Sequence, residues 1–359
     1  MIYIHVPFCH RKCTYCAFYS KVESGKWKVE DYVDVLLAEM DLRKGEQSHP
    51  IRTVYFGGGT PSILTLEQLA RIVEGLRRCF DLSRVEEVTL EANPEDLTPQ
   101  YLDGLRALHF FNRLSIGVQS LDDRVLRRLN RRHTAAQAIA SVENARRAGF
   151  GNISVDFIFG IGALGALESL GNLGFLGSVT HISAYVLTVE PCTALAVQVE
   201  QGRVSLPGED EVVRQYHALH SAFEAAGFRQ YEVSNYARPG FESRHNSRYW
   251  DRTPYLGLGP GAHSFDGQRR RWNGPMEADI GRWGAESEET LTEADAYNEL
   301  LMTALRTVRG LPAAALKEVT MRQLQPYVDC NWLVYGDGYY RPTPEGLLHA
   351  DGMAAELFI

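Results

Sequence analysis

The sequence contains no run of about 18 apolar residues, so we expect no membrane-spanning helix. Residues 1–7 lack the basic region and apolar run of a signal peptide, which favours a cytoplasmic protein. Basic residues are also scarce: 37 lysines and arginines stand against 45 aspartates and glutamates, giving a net charge of −8. Because nucleic-acid binding depends on cationic contacts to phosphates, we expect no nucleic-acid partner.

Cysteine is rare and unevenly distributed. Only six of the 359 residues are cysteines, and three of them, Cys9, Cys13 and Cys16, fall within eight residues. The remaining three are widely spaced and form no pattern: Cys79, Cys192 and Cys330. Since a reducing compartment disfavours disulfides, the N-terminal cysteines indicate metal binding or catalysis.

Apolar, β-branched runs recur along the first half of the chain, each followed by a segment of helical periodicity. This alternation predicts a parallel sheet covered by helices. Six such units fit an α/β fold of the TIM type, a partial (β/α)6 barrel, whereas a full eight-stranded barrel would need further strands. The predicted strands are residues 3–6, 53–56, 87–90, 113–118, 153–159 and 181–189.

Several helix boundaries follow from local sequence. Thr65 with Gln68 and Thr134 with Gln137 have the spacing of capping boxes, so we expect helices over residues 65–80 and from residue 134 to near 149. A further helix is predicted over residues 210–226. Residues 238–273 are rich in Gly, Pro and aromatic residues and are expected to form ordered loops.

The last 70 residues differ in character, so we place a domain boundary between a barrel with additional middle loops, residues 1–285, and a second domain, residues 286–359. Helical patterns near 293–307, 313–319 and 322–330 precede an apolar run and a Gly-Asp-Gly turn, which predicts a hairpin. Helices followed by a hairpin are typical of a winged helix. From residue 290 onward there are nine acidic and five basic residues, so a structural or docking role is favoured over DNA binding.

The strongest motif is the C-x3-C-x2-C loop of Cys9, Cys13 and Cys16, directly after the first predicted strand. Three thiolates can hold three irons of a [4Fe–4S] cluster and leave the fourth iron open for a reactive ligand. The alternative is structural zinc, which takes four ligands and would need His5 or His10 as the fourth. The spacing does not match the common zinc patterns, so the cluster is favoured.

This spacing near the N-terminus resembles the radical S-adenosylmethionine (SAM) superfamily. The resemblance implies that SAM chelates the open iron, and that an electron from the cluster splits the sulfonium to give a 5′-deoxyadenosyl radical. The lead-in sequence, residues 3–9, narrows the resemblance to the branch that contains oxygen-independent coproporphyrinogen oxidase and the haem chaperone HemW. It extends over nearly the whole chain, including the C-terminal domain.

Other motifs occur in that branch's order. A Gly-Gly-Gly-Thr-Pro turn, residues 57–61, follows a strand and lets backbone N–H groups approach a ligand closely. Polar residues at the ends of later strands line the mouth of a parallel barrel, although each taken singly could be a helix cap or a surface ion pair. The residues that the resemblance assigns to SAM are Tyr3, Tyr15, Gly58, Gly59, Thr60, Glu91, Gln119, Arg131 and Asp156.

Two positions separate the members of this branch. The oxidases have a fourth cysteine two residues after the last cluster cysteine, whereas this chain has Phe18, as HemW-like proteins do. Phe18 is expected to shield the cluster from water or to be ordinary core. The motif His245-Asn-Ser-Arg-Tyr-Trp matches the H-N-x-x-Y-W of HemW-like proteins, which makes His245 a candidate haem ligand; the alternative is a hydrogen-bonded loop with buried aromatics.

One segment departs from the family pattern. After Gly160 the family reads Leu-Pro-Gly-Gln-Thr, whereas this chain has six glycines and one charged residue between residues 160 and 177. So many glycines disfavour the helix expected after the fifth strand, at about 1 kcal/mol each. Cys192 stands where a glycine is expected, and the sequence offers it no metal partner.

Two functional hypotheses follow. A HemW-like haem chaperone would hold the [4Fe–4S] cluster and SAM, bind haem as cargo and pass it to haem-requiring acceptor proteins, with an electron donor for the cluster. The resemblance also implies peripheral membrane association and a homodimer as expectations. The alternative is an oxygen-independent coproporphyrinogen oxidase or another radical SAM oxidoreductase, against which Phe18 argues. No catalytic residue is assigned, and SAM cleavage is compatible with the intact motifs. A winged-helix regulator is disfavoured by the acidic C-terminal region.

Overall fold

Strands and helices alternate through the first half of the chain in the computed structural model, which describes residues 1–22, 28–46, 49–161, 170–277, 282–283 and 287–359. The six predicted parallel strands are all present. They are β1 (Ile2–Val6), β2 (Thr53–Gly58), β3 (Glu87–Ala92), β4 (Arg113–Gln119), β5 (Asn152–Phe159) and β6 (His181–Val186). The partial barrel predicted from the apolar runs is therefore confirmed.

The sheet extends beyond these six strands at both edges. Three further strands join it: β7 (Arg229–Glu232), β8 (Asn235–Ala237) and β9 (Leu256–Leu258). Within the described residues the sheet has nine strands in the order β9-β1-β2-β3-β4-β5-β6-β8-β7. Strand β9 runs parallel to β1, while β8 is antiparallel to both β6 and β7.

Helices cover the outside of the sheet. In the barrel they are α1 (Val29–Arg43), α2 (Leu66–Cys79), α3 (Pro99–Ala107), α4 (Asp123–Arg128), α5 (Ala135–Arg147), α6 (Ala194–Glu200), α7 (Glu209–Ala225) and α8 (Arg244–Trp250). The capping boxes at Thr65 and Thr134 are both formed, so the predicted starts of α2 and α5 are confirmed. Helix α7 also lies where a helix was predicted.

The expectation of loops over residues 238–273 is wrong in part. This region contains α8, β9 and two antiparallel strands, β10 (His263–Phe265) and β11 (Arg269–Trp272), which pair with β12 (Ser287–Thr290). Each of these strands has only three or four residues, too few to show an alternating pattern in a glycine-rich sequence.

The interior of the barrel is unusually polar. Thr89 on β3 pairs with Arg113 on β4, and Glu91 pairs with Ser115 two residues further along. Asp156 on β5 pairs with Ser183 on β6. Thr89, Arg113 and Ser183 are each less than 5% exposed, so this polar layer lies inside the sheet, below the carboxyl ends of the strands. Apolar side chains such as Ile4, Phe56 and Leu90 pack on the other face of the sheet in the main hydrophobic core.

The C-terminal region forms a smaller α+β unit. It contains α9 (Glu293–Leu305), β13 (Leu311–Pro312), α10 (Glu318–Asp329), β14 (Leu333–Gly336), β15 (Tyr339–Pro342), α11 (Pro344–Leu348) and α12 (Ala350–Leu357). The predicted hairpin is β14–β15, and its turn places both Asp337 and Gly338 at positive φ. The helix predicted over 313–319 is wrong, because residues 313–315 form a 3₁₀ turn and α10 begins only at Glu318.

The C-terminal unit has its own hydrophobic cluster, centred on Leu301, Leu305, Leu324 and Met353. It contacts the barrel through backbone hydrogen bonds from Val233 N to Arg306 O and from Val308 N to Tyr231 O. Among the described residues, no helix has both the length and the apolar character needed to cross a membrane.

Candidate functional site

A cavity of about 510 Å³ opens at the carboxyl ends of the parallel strands. This is the end of a parallel barrel where strand-end loops converge and active sites usually form. The cavity brings together nearly all the residues predicted to hold a cluster and SAM. Those that line it are Cys9, Cys13, Tyr15, Cys16, Gly58, Gly59, Thr60, Glu91, Gln119, Arg131 and Asp156.

The cysteine loop is held on the barrel by backbone contacts. Thr14 N donates to Leu129 O over 3.2 Å, and Thr14 O accepts from Leu195 N over 2.8 Å. The side-chain amide of Asn130 donates to Lys12 O over 2.8 Å. These contacts tie the loop to the segment after α4 and to the start of α6. All three loop cysteines are half-buried and free of disulfides.

Two side chains donate hydrogen bonds to the cysteine sulfurs. Thr60 Oγ1 donates to Cys9 Sγ over 3.3 Å, and Arg131 Nη1 donates to Cys13 Sγ over 3.4 Å. Burial raises the pKa of both the Cys9 and Cys16 thiols. Donors and a guanidinium beside sulfur stabilise thiolates, which are the form of cysteine that binds metals.

One of the two candidate fourth ligands for a zinc ion has its side chain engaged elsewhere. His5, one of the two candidate fourth ligands, has both ring nitrogens engaged: Nδ1 lies 3.1 Å from the Tyr3 hydroxyl and Nε2 lies 2.9 Å from Tyr19 O. Within the described ranges, no three His, Cys, Asp or Glu side chains converge closely enough to hold one metal ion. Three irons of a cluster each take one thiolate, so cluster ligation needs no such convergence.

Glu91 lines the cavity and is half-buried. Its carboxylate accepts the Tyr55 hydroxyl over 2.7 Å and Gly58 N–H over 3.2 Å. Burial raises the pKa of Glu91 to about 7, against the lowering effect of the Tyr55 hydrogen bond. Gly58 has φ of +107°, and a Cβ there would lie 2.6 Å from the His5 ring, so only glycine fits.

Arg131 lies at the centre of a polar network in the cavity. Its Nη2 donates to Asn93 Oδ1 over 2.5 Å and to Gly117 O over 2.8 Å. Asn93 in turn donates to Thr60 Oγ1 over 3.3 Å, so Thr60 and Arg131 are linked. Arg131 Nε is buried and has no hydrogen-bond partner among the described residues, which leaves a donor for a ligand.

Gln119 and Asp156 complete the lining on β4 and β5. Gln119 has φ of +64°, a left-handed conformation that turns the chain at the end of β4. Asp156 accepts the Ser115 hydroxyl over 3.3 Å, and burial raises the pKa of Asp156. The cavity lining therefore contains two half-buried carboxyl groups, Glu91 and Asp156, and the guanidinium of Arg131.

The two tyrosines assigned to SAM differ in position. Tyr15 lines the cavity and packs against the small hydrophobic cluster of Val125, Leu129 and Ile161. Tyr3 does not line the cavity: its ring stacks on Tyr55, with ring centres 6.2 Å apart. Tyr3 therefore packs against Tyr55, the residue whose hydroxyl donates to Glu91.

The structure places His245 away from the cavity. Its side chain is buried with 1% exposure near the amino end of β2, where Nδ1 lies 2.9 Å from Thr53 Oγ1 and Nε2 lies 3.1 Å from the Tyr249 hydroxyl. Its ring lies against Tyr55, with centres 5.0 Å apart. Both nitrogens are engaged, so the arrangement is the hydrogen-bonded one with buried aromatics, and His245 offers no free nitrogen to a haem iron.

The rim of the cavity has an apolar side and a basic side. Phe18 is 69% exposed at this rim, so the expectation that it is ordinary core is wrong, while shielding of a cluster by Phe18 stays a prediction. Tyr185 and Val186, at the end of β6, are exposed beside Ile158 and Leu187. The basic side is formed by exposed residues of the cysteine loop and one after α4: His10, Arg11, Lys12 and Arg132.

Sequence analysis did not single out several residues that shape the site. Tyr55 and Ser115 form hydrogen bonds with the carboxyl groups of Glu91 and Asp156, and Asn93 links Thr60 to Arg131. Tyr55 could have been found from the two-residue alternation of side chains along a strand. It lies two residues before Gly57, so both residues face the barrel interior. Asn93 follows Glu91 by the same spacing.

The glycine-rich departure lies partly outside the described residues, which omit 162–169. Leu170–Ser178 forms a 3₁₀ helix, and the helix expected after the fifth strand falls in part on residues outside the described ones. Cys192 is exposed and has φ of +64°, the backbone conformation that favours glycine, which explains why a glycine is expected there.

Comparisons with known proteins agree with this geometry. Residues 3–164 match the model of the Radical SAM superfamily, and residues 291–349 match the model of the HemN C-terminal domain. The chain is 34% identical over 367 residues to "Heme chaperone HemW" of Mycobacterium tuberculosis, covering 99% of this chain and 94% of the relative. It is 35% identical over 333 residues to the protein of the same name from Bacillus subtilis, covering 90% and 87%.

A solved structure shows the same fold. Coproporphyrinogen III oxidase (HemN) from Escherichia coli, described as a radical SAM enzyme, superposes with a TM-score of 0.82 at 22% sequence identity. The superposition covers 99% of this chain and 89% of the oxidase. This likeness shows that the barrel and the C-terminal unit share the architecture of that enzyme.

Proposed function

Since the chain belongs to the HemW haem-chaperone family of the radical SAM superfamily, we propose that it holds a [4Fe–4S] cluster and SAM in the strand-end cavity and carries haem to acceptor proteins. The observation that carries the proposal is the convergence of Cys9, Cys13 and Cys16 with the polar lining in one cavity. The cysteines take three irons, and SAM takes the fourth.

The residues around the cysteines fit such a cluster. The Thr60 hydroxyl and the Arg131 guanidinium donate to sulfurs of Cys9 and Cys13, and they offset the negative charge of thiolates. When bound, the cluster supplies the electron that radical SAM chemistry requires.

The rest of the cavity fits SAM, which carries a sulfonium, an amino group and a carboxylate. The Glu91 and Asp156 carboxyl groups attract the cationic groups, and the unpartnered Arg131 Nε is a donor for the carboxylate. Gly58 and Gly59 allow close backbone approach. Tyr55 and Ser115 orient these two carboxyl groups through hydrogen bonds.

For haem, we propose the rim of the cavity and not His245. A porphyrin has two broad apolar faces and an edge with two propionates. The apolar side of the rim, with Phe18, Tyr185 and Val186 exposed, can accept a face, and the basic side can accept the carboxylates. A structural role for His245 follows from its two occupied nitrogens.

We also propose two units, residues 1–285 and 286–359, connected at β12 (Ser287–Thr290), which pairs with β11 of the first unit. The support is the separate hydrophobic cluster of the C-terminal unit and the match of residues 291–349 to the HemN C-terminal domain. A cytoplasmic location, haem-requiring acceptors and an external electron donor remain part of the proposal because they follow from family membership.

The test uses anaerobically reconstituted protein offered haem in one sample and coproporphyrinogen in another. We expect stoichiometric haem binding, retained in His245→Gln, weakened in Val186→Asp and unchanged in the control Val334→Asp, whose residue is 50% exposed on the C-terminal hairpin. Oxidative decarboxylation of coproporphyrinogen would reject the chaperone assignment. Haem loss in His245→Gln with the fold intact would reject the rim as the haem site.

A further inference from the structure

A cluster of exposed basic side chains surrounds the cysteine loop although the whole chain carries a net charge of −8. Arg11 and Lys12 lie in the loop itself, and Arg127 and Arg128 lie in the last turn of α4. Within the described part of the chain, no carboxylate forms an ion pair with any of these four. We call them the loop-side basic patch.

The patch is attached directly to the loop that carries the cysteines. Thr14, next to Cys13, donates through Oγ1 to Arg128 O over 3.3 Å and through its backbone N to Leu129 O. Asn130 reaches back to Lys12 O. The two halves of the patch are thus joined by hydrogen bonds on either side of Cys13.

Binding of SAM or haem does not account for the whole patch. Arg11 and Lys12 line the cavity, but Arg127 and Arg128 do not. Other arginines of the chain form ion pairs with carboxylates, as Arg78 does with Asp41 and Arg52 with Glu86. Arg127 and Arg128 differ from other exposed arginine pairs of the chain in that the backbone of Arg128 is hydrogen-bonded to the cysteine loop, so they place positive charge beside the proposed redox centre.

We propose that the loop-side basic patch is the docking surface for an acidic one-electron carrier protein that reduces the cluster. The inference rests on the proposed function, because it needs a redox centre at Cys9, Cys13 and Cys16. One electron passes from the reduced carrier to the cluster, so the carrier is oxidised by one electron and no proton or group is transferred.

Charge complementarity and position select this partner over others. Opposite charges steer association and are the principal attraction between electron-transfer proteins, whose interfaces are small. Electron transfer slows steeply with distance, so the carrier must dock over the cysteine loop, where the patch lies. The remaining cysteines are Cys79, on α2, and the exposed Cys192 and Cys330, so the chain itself supplies no second cluster to relay electrons.

The test variant is Arg127→Glu/Arg128→Glu, and the chain offers a matched control in Arg146→Glu/Arg147→Glu. Each pair consists of adjacent exposed arginines in the last turn of a barrel helix, so both variants change the charge and the helix terminus alike. The double glutamine variant of Arg127 and Arg128 removes the charge without reversing it. Iron, sulfide and circular dichroism are measured first on every protein.

Binding of an oxidised bacterial ferredoxin is measured by calorimetry at low and high salt, and cluster reduction by the reduced ferredoxin is followed by stopped-flow absorbance. We expect the glutamate variant to bind about tenfold or more weakly at low salt, with the difference shrinking at high salt. The glutamine variant should be intermediate and the control within about twofold of wild type. Reduction by dithionite should be unchanged in all of them.

Equal losses in the test and control pairs, or no loss in either, would overturn the docking surface. So would retained ferredoxin binding with lost binding to vesicles containing phosphatidylglycerol, since that result assigns the patch to a membrane. Failure of wild type to take up a cluster is a different result, because it refutes the proposed function and not the charge of the surface.

Discussion

Arg131 and Cys13 are joined by a hydrogen bond of 3.4 Å from Nη1 to Sγ, and the same guanidinium donates to Gly117 O on β4. A residue that follows α4 thereby links the cysteine loop to the barrel wall. Together with the hydrogen bond from Thr60 to Cys9, this link connects residues proposed for SAM directly to cysteines proposed for the cluster.

Replacing Arg131 with Met should weaken the binding of both the cluster and SAM. The thiolate of Cys13 loses a charge-assisted hydrogen bond, an interaction that typically contributes about 1.5–3 kcal/mol. We expect lower iron retention after reconstitution and a lower cluster midpoint potential, measured by iron analysis and redox titration. Arg132→Met is the control, because Arg132 is exposed and pairs only with Glu95 at 3.6 Å; equal losses in the two variants would contradict the role of Arg131.

SAM affinity should depend on pH through Glu91. Burial raises the pKa of this carboxyl to about 7, so it is largely protonated below that pH and cannot attract a cation. We expect SAM affinity to fall about tenfold per pH unit below pH 7 and to level off above it. Calorimetry from pH 5.5 to 8.5 measures this.

The control for that titration is Glu91→Gln, which should bind SAM more weakly and lose the pH dependence. Glu190→Gln also removes a cavity-lining carboxylate, but this variant should keep the pH dependence of SAM affinity. A pH profile of Glu91→Gln identical to that of wild type would exclude Glu91 as the titrating group.

His245 should contribute to the stability of the fold and not to haem binding. His245→Gln breaks at least one buried hydrogen bond, at a cost of about 1–3 kcal/mol in the free energy of unfolding. Guanidinium denaturation measures that loss, and haem titration of the same variant should give the wild-type stoichiometry.

The stability that His245 provides should also depend on pH. Burial lowers its pKa to about 3, while the unfolded chain has the ordinary value near 6.5. The contribution is therefore complete above about pH 6.5 and is lost as the pH falls toward 3, by about 1.4 kcal/mol per unit. The difference between wild type and His245→Gln should shrink as the pH falls below about 6.5 and reverse before pH 3, because the loss at about 1.4 kcal/mol per unit exceeds the hydrogen-bond contribution of about 1–3 kcal/mol; a difference that grows on acidification contradicts the neutral, buried histidine.

Cys192→Gly should stabilise the protein. Cys192 holds a left-handed backbone conformation, which costs a non-glycine residue about 1–2 kcal/mol relative to glycine, and its side chain is exposed. Part of this gain is offset by the greater freedom of glycine in the unfolded chain. Denaturation of wild type and variant under reducing conditions measures the difference, and a clear destabilisation would show that the thiol has a partner.

Most of the barrel could be predicted from sequence because its central strands are buried on both sides and read as apolar runs bounded by turn residues. Strand β9 could not, since Leu256–Leu258 is stabilised by pairing with β1 and not by a pattern of its own. The order of elements along the chain also does not indicate that β8 pairs antiparallel with β6 and with β7.

The site could be predicted where the spacing of residues along the sequence indicates the ligand, as at the three cysteines. It could also be predicted where polar residues lie at the ends of buried strands, as at Glu91 and Asp156. It was not predictable where three-dimensional environment decides. His245 is part of a motif, yet its surroundings are Thr53, Tyr55 and Tyr249, which the sequence separates from it by up to 192 positions. Phe18 is an aromatic residue whose exposure depends on the rim that surrounds it.

The most direct test of the account is electron paramagnetic resonance of the dithionite-reduced, anaerobically reconstituted protein with and without SAM. We predict about four irons and four sulfides per chain, a [4Fe–4S]⁺ signal that changes when SAM is added, and loss of that signal in Cys13→Ala but not in Cys79→Ala. Protein that contains zinc in place of iron, or a cluster signal that SAM leaves unaltered, would contradict the central claim.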